Sequence, residues 1–286
     1  MVGVGRRDVQ RVIHSLFGVS VSLGAVQKMV DRTSQAIEPH YEAIREEVHS
    51  APVNHVDETT WRCESKLHWL WVLTNRTAAY FQVHPRRSKE AFYALIGAWK
   101  GILVSDDYAC YRDWANFQQK CLAHFIRRAQ RLAESKDPEI SRFGKALKAE
   151  FKRMCAWANA PPTVPEWNVH YMRMIKLLRA HQDRRDEAGR LARALMRQLD
   201  DLWVYLEHEG VEPTNNLAER TLRFLVIRRK VSGGTQSGKG NRWIERIASL
   251  RETCRMRGLR TYPILVDALQ GLFEGRTPDL GLLSPV

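Results

Sequence analysis

Long apolar runs are missing from this chain of 286 residues. Its most apolar stretches, such as residues 67–73, are far shorter than the roughly 20 residues that a membrane-spanning helix needs. The first residues also lack the apolar core of a secretory signal peptide. These absences predict a protein that does not enter a membrane and that stays in the cytoplasm.

Cysteine is sparse, and no two of the five cysteines form a C-x-x-C pair. An odd, scattered set favours neither a disulfide framework nor an all-cysteine zinc site. Cys121 and His124 have the spacing of half a zinc site, but no second pair at ligand spacing follows them. We therefore expect Cys121 to be packed in the core and His124 to stand at the start of a helix.

Acidic residues are too few to balance the basic ones, since 32 Asp and Glu face 45 Lys and Arg, a net charge of +13. A hydrophobic content of 44% is ordinary for a globular protein, which excludes a disordered basic tail. The excess is concentrated in residues 220–260, which hold 12 basic and 2 acidic side chains. This distribution indicates a nucleic-acid partner that is bound mainly by this segment.

Hydrophobic periodicity changes along the chain from helical to strand-like and back. The first 52 residues predict short helices with a helix-turn-helix-like outline. Strand-like runs then predict an antiparallel meander and, with the elements that follow, an α+β sheet. The predicted elements are helices over 6–17, 23–36 and up to about 48, strands over 53–61, 67–73, 78–83 and 101–104, and helices over 88–99 and 108–117.

The second half of the chain is mostly helical in pattern, with a proline-rich linker at residues 160–165. Its last part predicts a helix to about residue 227, a glycine-rich loop, and another helix from 242 to 256. Together these patterns predict five regions: N-terminal helices and linker (1–52), the first part of an α+β core (53–126), a helical insertion (127–210), the end of the core (211–270) and a tail (271–286).

Three carboxylates are the strongest candidates for a functional role. Asp57 lies inside the first predicted strand, where a buried and unpaired charge is costly. Asp106 ends the fourth predicted strand, and Glu219 lies one turn into a helix. Each has a structural alternative, since Asp106 fits a turn or cap and Glu219 fits a capping partner of Asn216. Taken together, three oxygen ligands suit a pair of Mg²⁺ ions that promotes phosphodiester chemistry.

A glycine-rich loop over residues 233–240 fits the G-x-x-x-x-G-K part of a P-loop. Gly240, however, stands where a P-loop has its Mg²⁺-binding hydroxyl, so ATP binding is the weaker interpretation, kept open by a strand-like run over 224–231. We favour a loop whose backbone N–H groups, with Lys239 and Arg242, bind DNA phosphates. Trp243 beside it is a candidate wedge between bases.

Several motifs, in order, resemble the insertion-sequence-66 family of bacterial DDE transposases. The resemblance spans about residues 53–269, and the joint match is far more specific than any single motif. It is carried by Val56-Asp-Glu-Thr59, the run Arg86-Arg-Ser-Lys89 leading through Gly101 to Asp106-Asp-Tyr-Ala-Cys-Tyr111, Cys121-Leu-Ala-His124, Asn215-Asn-Leu-Ala-Glu-Arg220 with Arg229-Lys230, and Ala248-Ser-Leu-Arg-Glu-Thr-Cys254 through Gly258-Leu259.

The resemblance implies a ribonuclease H-like fold in which Asp57, Asp106 and Glu219 form the catalytic triad and bind two Mg²⁺ ions, with Mn²⁺ as a substitute. It also implies that the helical stretch before Glu219 is an insertion between the second and third carboxylates. The family usually has glycine after the second aspartate, where this chain has Asp107. Strand alternation and motif register favour Asp106 over Asp107 as the ligand.

The expected activity is that of a DNA transposase, which cuts transposon ends and joins them to target DNA. Its partners would be both DNAs, a second copy or higher oligomer, and accessory proteins of the same element, in the nucleoid of a bacterium. The alternatives are a DNA-binding regulator or decayed fragment without catalysis, because the chain begins near the last N-terminal helices of the family, and a structure-specific nuclease. The basic residues expected to bind DNA are Arg220, Arg223, Arg228, Arg229, Lys230, Lys239 and Arg242.

Overall fold

The computed structural model describes residues 4–283, so the ends of the predicted first and last regions, 1–3 and 284–286, lie outside the described residues. The chain divides into two compact units. The first unit consists of Met1–Trp99 together with Asn216–Val286, and the second unit is Lys100–Asn215. A segment from each end of the chain therefore folds into the first unit.

Three helices open the first unit: α1 (Arg6–Phe17), α2 (Leu23–Ala36) and α3 (Glu38–Ser50). The hydroxyl of Ser22 accepts the Ala25 N–H at 3.0 Å, which caps the start of α2. Pro39 stands in the first turn of α3, where its missing N–H costs nothing, so it starts a helix. The helices predicted for this region are confirmed.

Three strands follow in the first unit: β1 (Val53–Cys63), β2 (Lys66–Thr74) and β3 (Ala79–His84). They form the predicted antiparallel meander, with β2 between β1 and β3. The β1–β2 turn consists of Glu64 and Ser65, which both have positive φ, as a two-residue hairpin of primed type requires. Helix α4 (Lys89–Ile96) then begins after the Ser88 cap.

The second unit contains a pair of parallel strands, β4 (Ile102–Ser105) and β5 (Gln118–Lys120), in which Ser105 lies opposite Lys120. The helix predicted over 108–117 is wrong, because this segment holds only one 3₁₀ turn, Ala109–Tyr111. Asp106 accepts the Tyr108 N–H at 2.9 Å. Such a side-chain turn competes with helix formation, and the chain must also reverse direction to place β5 parallel to β4.

The rest of the second unit is helical, as predicted. Gly144 lets its own helix and the helix that ends at Ala133 approach closely, since a Cβ on Gly144 would lie 2.2 Å from the Ala133 nitrogen. Phe125 and Phe151 stack across the same contact with their ring centroids 5.5 Å apart. The helices are α5 (Leu122–Ala133), α6 (Pro138–Trp157), α7 (Val164–Arg179), α8 (Glu187–Arg197) and α9 (Val204–Glu207).

Three further helices complete the first unit: α10 (Asn216–Ser232), α11 (Gly238–Met256) and α12 (Thr261–Glu274). Ala218, Leu222 and Leu225, spaced along one face of α10, pack in a buried cluster with residues of the sheet such as Trp61 and Val72. The helix predicted to end near 227 continues to 232, and the strand-like pattern over 224–231 is wrong. Within that run Leu225 is buried in this cluster and Phe224 and Val226 pack against it, whereas Ile227 and Val231 are exposed.

Helix α11 covers the outer edge of β3 with polar side chains one turn apart. The β3 N–H groups of residues 79, 81 and 83 are donated to Thr253 Oγ1 (3.1 Å), Ser249 Oγ (3.0 Å) and Glu245 Oε1 (2.8 Å). Alternate residues of a strand match every fourth residue of a helix, because two strand steps and one helical turn have similar lengths. The helix therefore replaces a further strand and closes an edge that would otherwise be open to aggregation.

The protein is thus an α+β protein with five strands of mixed sense and many helices, consistent with a ribonuclease H-like fold. The predicted fold class is confirmed. Among residues 4–283, no helix combines the length and the apolar character that crossing a bilayer requires.

Candidate active site

Asp57 lies on the face of the first unit's sheet that α10 covers. Residues opposite each other on neighbouring strands share a face, and Asp57 pairs with Val72, a member of the cluster beneath α10. Its neighbour Glu58 points to the other face, where the guanidinium of Arg87 binds its carboxylate at 2.5 Å. Of the two adjacent acids, Asp57 is therefore the one that faces the helix carrying Glu219.

Helix α10 runs in the same direction as β1, and two contacts fix this alignment. Arg229 donates to Thr59 Oγ1 at 2.6 Å, and further along the chain Thr235 donates its N–H to Arg62 O at 2.8 Å. Ten residues of helix before Arg229 span about 15 Å, the length of four to five strand residues. Counted back from Thr59, the helical turn that carries Glu219 thus lies level with about residues 54–55 of β1, two to three residues before Asp57.

Asp106 and Asp107, in the second unit, have different surroundings. Asp106 follows β4 directly, and its Oδ1 accepts the backbone N–H of Tyr108. Asp107 is held by two guanidinium groups, with Arg128 at 3.0 Å and Arg112 at 3.4 Å. Arginine pairing gives Asp107 a structural role, which supports Asp106 as the residue that matches the second aspartate of the resembled motif.

Lys120, which the sequence analysis missed, is buried beside these acids. Its side chain is 1% exposed, and within residues 4–283 its ammonium has no hydrogen-bond partner. Burial lowers the pKa of Lys120, and the carboxylates of Asp201, Asp107 and Asp106 act against that shift. The same burial raises the pKa of Asp201. The three-residue strand Gln118–Lys120 is too short to show a sequence pattern that predicts this cluster.

Cys121 and His124, the pair with the spacing of half a zinc site, lie at the start of α5 in the second unit. Cys121 is buried, and its sulfur accepts the Asn215 N–H at 3.1 Å. Cys121 stands at the N-terminal cap of α5 and His124 in its first turn. These positions are the ones expected for a packed cysteine and a histidine at the start of a helix.

The seven basic residues predicted to bind DNA are not equivalent. Arg229 is bound to Thr59 and Thr60 of β1, and Arg228 is half-buried, with a pKa lowered by burial. The other five are exposed to solvent, and lie on α10 or on the first turns of α11. They are Arg220, Arg223, Lys230, Lys239 and Arg242.

The glycine-rich loop is fastened to β1. Thr235 forms a bridge with Cys63, and Trp61 donates its indole N–H to Thr235 Oγ1 at 3.1 Å. A Cβ on Gly234 would lie 2.2 Å from Arg62 O, so this glycine is required by a close backbone approach. The segment before the loop is α10, whereas a P-loop follows a strand. The ATP-binding interpretation therefore loses the element on which it depended.

Trp243 lines an apolar cavity of about 350 Å³ between α10, α11 and α12. Phe224 forms another wall, and the guanidinium of Arg251 lies over its ring at 4.2 Å. Trp243 is half-buried in this position. Its contact with DNA bases stays a prediction.

An α+β, ribonuclease H-like fold with a strand carboxylate, an acidic residue on the helix that covers that strand and exposed cations further along the same helix is typical of enzymes that act on nucleic acid. The chain belongs to the IS66 family of transposases, because the model of that family, described as "Transposase IS66 family", matches residues 6–242. The family supports a transposase type of function.

Two curated proteins of Sinorhizobium fredii are similar to this chain. The uncharacterized protein y4jO is 26% identical over 178 residues, which cover 59% of this chain and 52% of that protein. The uncharacterized protein y4jD is 22% identical over 305 aligned positions, which cover 94% of this chain and 59% of that protein. The chain thus spans between half and three fifths of the length of these relatives.

Proposed function

We propose that this protein is a DDE transposase, in which Asp57, Asp106 and Glu219 bind two divalent cations and catalyse strand cleavage at transposon ends and transfer into target DNA. The observation that carries the proposal is the alignment of α10 with β1. It supports the proposal because it brings the helix that carries Glu219 over the face of β1 that carries Asp57, although the two residues are far apart in the chain. Membership of the IS66 family supports the same activity.

The proposed ligands are all carboxylates, the hard oxygen donors that Mg²⁺ and Mn²⁺ prefer. When bound, a pair of such ions activates a water or 3′-hydroxyl and stabilises both oxygens of an in-line phosphoryl displacement. The protein must hold its carboxylates rigidly for this chemistry. Glu219 sits on a helix anchored by the buried Ala218 and Leu222, and Asp57 lies within a fully paired strand.

The exposed basic residues that follow Glu219 bind the DNA substrate in this proposal. Arg220, Arg223 and Lys230 project from α10, and Lys239 and Arg242 project from the start of α11. Contacts of this kind neutralise backbone phosphates and position the strand without reading its sequence. Arg228 and Arg229 stay in the proposed DNA-binding set, and Arg229 also holds α10 against β1.

The remaining parts of the proposal concern assembly and place. We propose that the protein works as a homodimer or higher oligomer on DNA, together with accessory proteins of its element, in the bacterial nucleoid. The five regions predicted from the sequence, including the insertion over 127–210, also stay proposals.

Labelled transposon ends incubated with the protein and Mg²⁺ test the activity directly. A transposase gives joined products, a structure-specific nuclease gives cut products only, and a regulator or decayed transposase leaves bound but intact DNA. We expect Asp57→Asn to abolish cleavage and joining while DNA binding persists, and Asp31→Asn on α2 to leave both unchanged. Undiminished cleavage by Asp57→Asn would contradict the assignment.

A further inference from the structure

A groove of about 730 Å³ lies between α5 and α6 in the second unit, and we call it the α5–α6 groove. Arg127, Arg128 and Arg131 line it from α5, and Lys148 and Lys152 line it from α6. Lys145 lies in a smaller depression that shares Lys148 and Lys152 with it. Cations from two helices therefore follow one surface depression.

The packing of the two helices determines this arrangement. At Gly144 the backbone of α6 meets the backbone of α5 with no room for a side chain, and Phe125 stacks on Phe151 below. The side chains at this contact are thereby buried between the two helices. Arg131 and Lys152, on the opposite faces, remain in solvent.

Acidic side chains are absent from the described lining of the groove. Within residues 4–283, Arg131 and Lys152 have no acidic partner, and Lys148 binds the amide oxygen of Gln130. Arg184 in the same unit is by contrast neutralised, since it contacts the carboxylates of Asp137, Glu139 and Asp186. The positive charge of the groove is consequently available to a partner from outside the unit.

One end of the groove lies beside the second proposed ligand. Arg128 lines the groove and binds the carboxylate of Asp107, the residue after Asp106. Arg131 follows Arg128 on α5 by about one turn, roughly 5.4 Å, and Lys148 and Lys152 lie about one turn apart on α6. A polyanion that follows these cations runs directly from the neighbourhood of Asp106 along the helical insertion.

We propose that the α5–α6 groove binds the phosphate backbone of DNA, as a second contact surface besides the one on α10 and α11. The inference rests on the proposed function, which makes DNA the substrate, and it gives the helical insertion a role that neither the motifs nor the family assign. Arg131, Lys148 and Lys152, which have no acidic partner among residues 4–283, suit a regular polyanion, which releases its counterions on binding.

The test is the salt dependence of DNA binding, measured by fluorescence anisotropy with a labelled 40-base-pair duplex in EDTA, so that no cleavage occurs. The triple variant Arg131→Ala/Lys148→Ala/Lys152→Ala should lower the slope of log K against log salt by about 2 to 3, at about 0.9 per lost phosphate contact. Its affinity near physiological salt should fall about 10-fold or more.

The matched control removes three exposed cations of α7 and α8, Lys176→Ala/Arg179→Ala/Arg190→Ala, with the same change in net charge. We expect its slope to equal that of the unmodified protein, and we expect Lys148→Arg/Lys152→Arg to retain the unmodified slope as well. Circular dichroism should give the same melting temperature for all variants, because the substituted side chains lie at the surface.

Equal slopes for the groove variant and the control would overturn the proposal, and would assign the groove to a different partner such as an acidic protein segment. This result leaves cleavage by the unmodified protein intact, so it is distinct from a failure of the proposed function. Conversely, a protein that cuts no DNA but loses salt dependence with the groove variant would keep the groove and lose the transposase assignment.

Discussion

Helices α10 and α11 are neighbours in the first unit, and each carries five basic residues, yet their polar side chains do different work. On α11, Arg246 pairs with Glu38, and Arg251 and Arg255 pair with Glu252. On α10, Arg220, Arg223 and Lys230 are exposed and lie beyond Glu219. The charges of these three α11 arginines are therefore compensated within the unit, whereas the three α10 cations face solvent, as Lys239 and Arg242 at the start of α11 also do.

The contrast teaches that the charge of a segment does not by itself locate a DNA-binding surface. Residues 220–260 hold 12 basic side chains, but Arg246, Arg251, Arg255 and Arg257 are bound to acids of the same unit. Their charges are already compensated within the fold. Substitutions of Glu219 and the exposed cations of α10 should change catalysis and DNA binding, and substitutions of the paired residues of α11 should change stability.

The largest effect is expected at Glu219. The variant Glu219→Gln should lower the rate of end cleavage about 1,000-fold or more, because it removes a charge that acts in the transition state. The same substitution on α11, Glu252→Gln, should leave the rate per folded molecule unchanged and lower the melting temperature. Single-turnover cleavage and thermal unfolding distinguish these outcomes. Equal losses of cleavage would remove the difference between the helices.

The next effect concerns the exposed cations of α10. The triple variant Arg220→Ala/Arg223→Ala/Lys230→Ala should bind DNA roughly 10- to 100-fold more weakly and lower the salt slope by about 3. As the α11 counterpart, Arg246→Ala/Arg251→Ala/Arg255→Ala should lower the melting temperature and leave the slope near its original value. Anisotropy titrations at four salt concentrations measure both. If the two triple variants lowered the slope equally, the three substituted α11 arginines would also bind phosphates.

A smaller effect is expected on the α11 side, at the β3 edge. In Ser249→Ala the Phe81 N–H loses its acceptor, which should lower the free energy of unfolding by about 1 to 2 kcal/mol. Ser249→Thr should retain most of that free energy, because it keeps the hydroxyl. Urea denaturation measures the difference, and unchanged stability of Ser249→Ala would show that water replaces the hydroxyl.

The smallest effect is a pH dependence at Glu245. Burial raises the pKa of this carboxyl, against the Val83 N–H and the charges of Arg242 and Arg246, which lower it. A raised pKa in the folded state stabilises the protein fully below the unfolded pKa, about 4.3, and this contribution is lost as the pH rises through the folded pKa.

Glu245→Gln retains an acceptor for the Val83 N–H and removes the ionisation. Relative to the original protein, it should therefore gain stability between pH 4 and pH 7, which denaturation at several pH values measures. A relative loss of stability with rising pH would contradict the sign of the shift.

Local sequence patterns predicted those parts of the fold that local physics controls. The alternation in β1 and β2, the Ser22 cap and the helical spacing of Ala218, Leu222 and Leu225 each specify an element without knowledge of its partners. The same holds for the fold class, which follows from the order of strands and helices.

The remaining features depend on contacts between distant residues. The segment 108–117 has helical spacing but is diverted by a turn at Asp106, and Lys120 becomes special only when β5 pairs with β4. The Gly234 approach to Arg62 and the pairing of Arg246 with Glu38 link residues at least 170 positions apart. No periodicity within one element records such contacts.

The central claim is that Asp106, with Asp57 and Glu219, binds the catalytic ions directly. The most direct measurement replaces each adjacent aspartate with cysteine and compares strand cleavage in Mg²⁺ and in Mn²⁺, since Mn²⁺ accepts a sulfur ligand more readily than the harder Mg²⁺. We predict that Asp106→Cys is inactive in Mg²⁺ and regains cleavage in Mn²⁺, and that Asp107→Cys shows no such metal-dependent recovery. Recovery by Mn²⁺ at Asp107, or full activity of Asp106→Cys in Mg²⁺, would contradict the account.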